Sequence, residues 1–240
     1  MEKRTDLVSK GRLIDEMSFR SRFVEFITKW EVILVFITLA VFIFFNAKSP
    51  YFLDWFNLMN ATFQFSEKAI MALPMIFIIM CGDIDISIAS IIALCAYVVG
   101  NAALAGASIP ILILLSLLVG TVAGFFNGIM ITTLEMPAIA VTLATQSIFR
   151  GISIGLLGDQ ARTKFPENFG VFGQEFIPGT IIPFEFALYL VLMLLFAFVL
   201  HKTTYGRRLY AIGNSAEAAR FSGINVKLMK VINFTLTGFF

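Results

Sequence analysis

The chain has 240 residues, of which 58% are hydrophobic and only 14% charged, against roughly a quarter charged in an ordinary soluble domain. Long apolar runs without an alternating polar face leave no surface for water, so a soluble globular domain is excluded and the runs must face lipid or one another. A formal charge of +2 gives no reason to expect a nucleic-acid partner; what carries information is where the positive residues sit.

Residues 1–30 hold Lys3, Arg4, Lys10, Arg12, Arg20, Arg22 and Lys29 and read as a cytoplasmic N-terminal segment by the positive-inside rule. The first apolar run, Trp30 to Ala47, is followed by no small-residue cleavage site, which favours a retained span over a signal peptide. Trp30 and Trp55 are expected near opposite interfaces. The second run, Ala69 to Gly82, amounts to about 21 Å if helical, short of the roughly 30 Å hydrocarbon core. The sequence Asp83-Ile84-Asp85-Ile86-Ser87 then interrupts, and Ile88 to Gly106 resumes at near-spanning length. Ser108-Ile109-Pro110 predicts a turn with Pro near the start of a fourth span ending at about Thr133. Glu135-Met136-Pro137 turns the chain into a fifth span, Ala138 to Gly158. Residues 159–182 read as a periplasmic loop and Pro183 to Leu200 as a sixth span. A basic cytoplasmic loop, 201–230, carries Lys202, Arg207, Arg208, Arg220, Lys227 and Lys230, and residues 231–240 begin a seventh span. The expectation is an all-α, polytopic transmembrane helical bundle over 31–240, with about six complete spans, one broken helix and one short cytoplasmic helix. An even number of spans between two positive segments agrees with that topology.

Between Ala69 and Ile131 the charged residues are Asp83 and Asp85. Ionisable groups in hydrocarbon cost about 2.5–3.5 kcal/mol each on insertion scales and mark polar pathways. A short preceding run puts the break in the inner part of the membrane, where freed backbone groups can coordinate a polar substrate. In the alternative reading, Asp85 caps the next helix at the interface. Asp83, Asp85 and Ser87 at period two give an extended segment one polar edge, suited to sugar hydroxyls or water.

A second polar stripe lies on the fifth span, where Thr142, Gln146 and Arg150 share a helical face bordered by Thr145. It lines the bundle interior, or else Arg150 snorkels to the outer interface and Gln146 bonds a neighbouring helix. Asn127 lies between Gly124 and Gly128, a small-xxx-small pattern that serves helix packing as readily as a ligand. In the basic loop, Asn214-Ser215-Ala216-Glu217 reads as a capping box, Ala218 to Ser222 as a short helix and Gly223 as its C-terminal cap. Such a helix docks on another protein or rests on lipid headgroups. The 27 Phe residues read as lipid-facing and packing surface. Cys81 and Cys95 fall in apolar runs and suggest no disulfide framework. His201 stands alone without a ligand cluster, so no metal, cofactor or catalytic residue is expected.

The residues also carry a family resemblance. Glu217-Ala218-Ala219 followed by Gly223 resembles the cytoplasmic loop of ATP-binding-cassette importer permeases. Gly82-Asp83-Ile84-Asp85-Ile86-Ser87 is similar to a signature of monosaccharide importer permeases of the ribose, arabinose and rhamnose type. Phe126-Asn127-Gly128, Thr142-Leu143-Ala144-Thr145 with Arg150-Gly151, Tyr205-Gly206-Arg207 and Ala211-Ile212-Gly213-Asn214 extend the likeness from roughly Trp30 to Phe240. Ser66-Glu67-Lys68-Ala69, Phe149-Arg150-Gly151-Ile152-Ser153 and Leu157-Gly158-Asp159-Gln160-Ala161 look closest to the rhamnose branch, and related permeases carry ribose or the sugar-like autoinducer-2.

The resemblance implies a permease that works with a second permease copy or paralogue, a periplasmic sugar-binding protein and two ATPase subunits, and moves a small sugar through the lipid bilayer of the inner membrane. Asp83, Asp85, Ser87, Asn127, Gln146 and Arg150 would line the pathway. Glu217, Ala218, Ala219, Arg220 and Gly223 would form the coupling helix to the ATPase. No phosphate-binding loop occurs in the sequence, so the chain is not expected to be an enzyme and ATP hydrolysis is assigned to a separate subunit. Such permeases continue through about four more spans, so a chain ending ten residues into its seventh is expected to be truncated at the C-terminus. From other classes, a secondary transporter would use Asp83 or Asp85 as its coupling carboxylate, and an assembly protein would transport nothing.

Overall fold

Residues 29–240 are described by a computed structural model; the expected cytoplasmic segment falls almost wholly outside them. They form ten helices and one isolated bridge, between Phe176 and Pro183, and divide into two compact units within the second helix, after Leu58. In the first unit, α1 (Trp30–Lys48) is apolar throughout and buries no residue, as a helix does when its surface is made for lipid. Phe45 stacks on Phe52 with ring centroids 5.5 Å apart, and Phe42 meets the same ring edge-on at 5.6 Å.

The second helix corrects the sequence reading. α2 runs Trp55–Met80, 26 residues, about 39 Å, so it is not short. The polar residues ahead of the apolar run, Asn57, Asn60, Gln64, Ser66, Glu67 and Lys68, belong to the helix. All of these residues are compatible with helix, and polarity marks where a helix leaves lipid rather than where it stops. The short element is the next one. α3 (Ile88–Leu104) has 17 residues, about 25 Å, less than the roughly 30 Å hydrocarbon core.

α4 (Ile109–Leu134) and α5 (Ala138–Leu157) follow as expected, with Pro110 in the first turn of α4 and Glu135 in the left-handed conformation (φ 54°) at its end. α6 (Val171–Gln174) is a single turn in the loop before α7 (Phe184–Lys202). Helices α1, α2, α4, α5 and α7 are long and apolar enough to cross a membrane, and α3 is a shorter apolar helix.

The segment 201–230 contains α8 (Thr204–Asn214), α9 (Ala216–Phe221) and the start of α10 (Val226–Phe239). Two further readings are corrected here. The cap of α9 is Ser215, whose Oγ accepts from the Ala218 N–H at 3.2 Å, so Glu217 is not the third residue of a box opened by Asn214. The seventh apolar helix begins at Val226, not Val231, because Asn225 Oδ1 accepts from the Leu228 N–H at 3.0 Å and starts the helix ahead of Lys227 and Lys230. Hydropathy begins the helix where charge ends; the cap begins it where backbone donors are satisfied.

α3 packs on α4 and α5, and α10 packs along α4. That last contact is backbone on backbone. A Cβ on Gly124 would lie 2.2 Å from the Phe234 carbonyl oxygen, one on Gly120 2.0 Å from that of Gly238, and one on Gly128 2.8 Å from Val231 Cα. The small-residue pattern on the fourth span therefore serves packing, and it extends one turn further than Gly124 and Gly128 suggested. Leu73, Phe77, Phe196, Leu209, Ile212, Ala219 and Met229 build one apolar core joining α2 to α7, α8, α9 and α10.

Candidate functional site

α2 stops by backbone geometry. Gly82 adopts φ +78°, its N–H bonds the Ile79 carbonyl at 2.9 Å, and the Asp83 N–H bonds that of Ile78 at 3.2 Å. This pair of bonds ends a helix on a left-handed glycine and delivers the chain into an irregular stretch, residues 83–87, whose last residue, Ser87, already has helical dihedrals (φ −77°, ψ −12°). The stretch alternates as its period-two pattern predicts. Asp85 and Ser87 are buried and Asp83 nearly so, whereas Ile84 and Ile86 are exposed.

Each inward side chain has its own partner. Lys230 Nζ lies 2.9 Å from the Asp83 carboxylate. Asp85 Oδ1 accepts from the Ser87 N–H at 2.8 Å and from the Ser87 hydroxyl at 2.7 Å, so Asp85 does organise the entry to α3. Asn127 Nδ2, on α4, donates to Ser87 Oγ at 2.7 Å, and the Thr142 hydroxyl, on α5, lies 3.4 Å from the Ile84 carbonyl oxygen. Three helices thus converge on five residues outside any helix. The network is only half satisfied from within. Asp85 Oδ2 and Asn127 Oδ1 are buried and accept nothing.

The polar stripe of α5 does not converge there as a whole. Thr142 is fully buried against the break, Gln146 is half-buried one turn on, and Arg150 is exposed a further turn on. Arg150 lines a different cleft, with Arg162 and Tyr97.

α9 is firmly closed at both ends. Past Ser222, Gly223 (φ +84°) lets its N–H reach the Arg220 carbonyl and the Ile224 N–H reach that of Ala219, each at 3.0 Å. Ala219 is buried, while Glu217, Ala218, Arg220 and Phe221 face outward. The helix before it packs closely on the end of α2, because a Cβ on Gly213 would lie 2.5 Å from the Met80 carbonyl oxygen.

Three residues of this region escaped sequence reasoning. Lys230 counted only towards topology. Asn233 is 1% exposed. Its Nδ2 donates to the Phe77 carbonyl at 3.2 Å and reaches Cys81 Sγ at 3.2 Å, and Tyr205 donates its hydroxyl to Asn233 Oδ1. The available signal was a lone Asn in an apolar run three residues after a Lys, which puts both on one helical face. Cys81 and Cys95 carry free thiols, and His201 Nδ1 lies 2.9 Å from the Ala197 carbonyl oxygen at the end of α7.

A set of apolar helices around a polar break, held by side chains from neighbouring helices, defines a multi-pass helical membrane protein. The chain belongs to the family described as branched-chain amino acid transport system / permease component, which matches residues 57–240. It is 34% identical over 188 residues to the autoinducer 2 import system permease protein LsrC of Photorhabdus luminescens, covering 77% of this chain and 56% of that protein. It is 35% identical to LsrC of Yersinia pestis strain Pestoides F, covering 77% and 53%. To the ribose import permease protein RbsC of Bacillus subtilis it is 34% identical over 193 residues, covering 79% and 59%. The chain spans somewhat over half the length of these curated relatives. No solved structure matches it.

Proposed function

We propose that the chain is the membrane-spanning permease part of an ATP-binding-cassette importer, moving a monosaccharide or sugar-like molecule across the inner membrane by alternating access. Its N-terminus faces the cytoplasm, and no covalent chemistry is involved. The supporting observation is the pair of buried acceptors, Asp85 Oδ2 and Asn127 Oδ1. Buried acceptors need donors, and a polyol presents several hydroxyl donors at close spacing. Asp85, Ser87 and Asn127 are the contact residues in this reading, Gln146 borders the same route, and Asp83 acts through Lys230.

The names of the relatives support ribose or autoinducer 2 as cargo, and the motif details of the sequence support rhamnose. α9 is the coupling helix, with Glu217, Ala218 and Arg220 facing an ATPase subunit and Gly223 fixing the exit of the chain. ATP is hydrolysed on that separate subunit, substrate arrives on a periplasmic binding protein, and a second permease copy or paralogue completes the pathway.

The test is uptake by the complete transport system in proteoliposomes, with labelled ribose, rhamnose and autoinducer 2 offered in turn. ATP-dependent uptake of one of them is expected, with Asp85→Leu abolishing uptake but not membrane insertion, and Glu217→Lys uncoupling ATP hydrolysis from it. Uptake that ignores ATP withdrawal and collapses with a proton ionophore would instead identify a secondary transporter. Asp85 would then be its coupling carboxylate, because Asp83 is already paired.

A further inference from the structure

Between α3 and α5, about 12 Å along α5 from Thr142, lies a cleft of about 430 Å³ whose wall carries two guanidinium groups, Arg150 and Arg162, and no carboxylate. Ion pairs among the described residues are Lys227–Glu135 and Lys230–Asp83, so neither arginine has a carboxylate partner among them. Arg162 Nη1 donates to Gln160 Oε1 at 2.6 Å, while its Nε–H is buried and donates to nothing. Its stem is also fixed in place. A Cβ on Gly100 would come within 2.9 Å of Arg162 Cβ, so α3 keeps a glycine where the arginine crosses it.

Arg150 emerges from the apolar helix α5, where an unneutralised arginine costs about 2.5–3.5 kcal/mol at bilayer depth. Apart from Ser153, whose hydroxyl is committed to the Phe149 carbonyl at 2.8 Å, and the hydroxyl of Tyr97, the rest of the wall is apolar and includes Ile154, Leu157 and Phe165. Two forked cations above an apolar trough fit an amphiphile whose head is a planar or tetrahedral oxyanion.

We propose that this cleft holds an anionic phospholipid, its phosphate between Arg150 and Arg162 and an acyl chain against the apolar part of the wall, which Ala93, Ala96 and Phe165 help to line. This site is separate from the Asp85–Asn127 network and does not depend on what the protein transports. It removes the burden of an unpaired arginine at the membrane end away from the 201–230 segment, where the positive-inside rule disfavours positive charge.

The experiment places one reporter in the cleft. The native tryptophans, Trp30 and Trp55, are replaced by Phe, Phe165→Trp is introduced, and quenching is followed in vesicles doped with brominated phosphatidylglycerol or brominated phosphatidylcholine. A charge-assisted contact of ordinary strength predicts half-quenching at an about tenfold lower mole fraction of phosphatidylglycerol, and Arg150→Gln with Arg162→Gln brings the two lipids to parity. Equal quenching by both lipids with the arginines intact overturns the proposal and needs no arginine variant to fold. So does a phosphatidylglycerol preference that survives the double substitution. A preference erased by millimolar inorganic phosphate shows that the anion site takes free phosphate and overturns the lipid assignment.

Discussion

Lys230 on α10 holds its ammonium 2.9 Å from the carboxylate of Asp83, the first residue of the break and 147 positions away in sequence. Through this contact the helix that follows α9 grips the start of the break. One turn on, Asn233 grips the last turn of α2 at Phe77 and Cys81, and Tyr205 of α8 closes the set. Tyr205 of α8 is thus joined through Asn233 to Phe77 and Cys81, near the residue that Lys230 holds.

The Lys230–Asp83 pair is mostly buried, with side chains 24% and 11% exposed, so its members are coupled rather than screened apart. We expect a double-mutant cycle on Lys230→Met and Asp83→Leu, read by thermal unfolding in detergent, to give a coupling of about 1–3 kcal/mol. Each single change leaves a charge without its partner and is expected to cost more than its share of the double. A coupling indistinguishable from zero would mean that the contact does not hold α10 to the break.

Asn233 makes a separable prediction. Asn233→Ala strands the Tyr205 hydroxyl and the Phe77 carbonyl, each at a cost of about 1–3 kcal/mol when buried. Adding Tyr205→Phe removes one of the stranded groups, so the double variant is expected to be more stable than the sum of the singles, again by thermal unfolding. Strict additivity would show that the two side chains act independently.

The α4–α10 contact rests on absent side chains. Gly124→Leu is expected to separate the helices and cost 3 kcal/mol or more, at or beyond the usual 1–3 kcal/mol of overpacking, because the obstacle is the Phe234 carbonyl and the Gly238 backbone rather than a movable side chain. Gly151→Leu is the control, since a Cβ there meets nothing within 4 Å. Yield of folded protein by gel filtration, compared between the two, is the measurement; equal yields would contradict the close approach.

What the sequence made legible follows from which signals are local. Spans α4, α5 and α7 were read to within two residues because turn residues bracket them: Ser108 and Pro110, Pro137, Pro183. The alternation of Asp83, Asp85 and Ser87 matches their burial against the exposed Ile84 and Ile86, but the segment is irregular rather than a strand, with Ser87 already in helical conformation. The beginning of α2 and of α10 was misread for one reason: in both, the helix starts among polar or charged residues, and hydropathy is blind to backbone hydrogen bonding. The partners of the break, Lys230 on Asp83 and Asn127 on Ser87, depend on which helices pack together, and no spacing within one chain segment encodes that. The orphaned Nε–H of Arg162 likewise appears only once Gly100 and the loop are in place.

A pH effect is expected at the turn between α4 and α5. Glu135 accepts from Lys227 Nζ at 2.6 Å, and this hydrogen bond, with the Lys227 charge second, holds its carboxyl below the ordinary value of 4.5. A depressed carboxylate pKa stabilises the folded state fully above the unfolded pKa, and that contribution is lost as pH falls through the folded one. Both side chains are well exposed, at 63% and 72%, so the contribution is small and salt-sensitive. Glu135→Gln is thus expected to flatten the loss of thermal stability below about pH 4.5 relative to the parent, and high salt to do the same to the parent. At neutral pH the variant is expected to be slightly less stable than the parent, by the worth of the lost pair. An unchanged acid slope in Glu135→Gln would show that the link between α4 and the first turn of α10 contributes nothing in solution, leaving Lys230 and Asn233 to hold that end of α10.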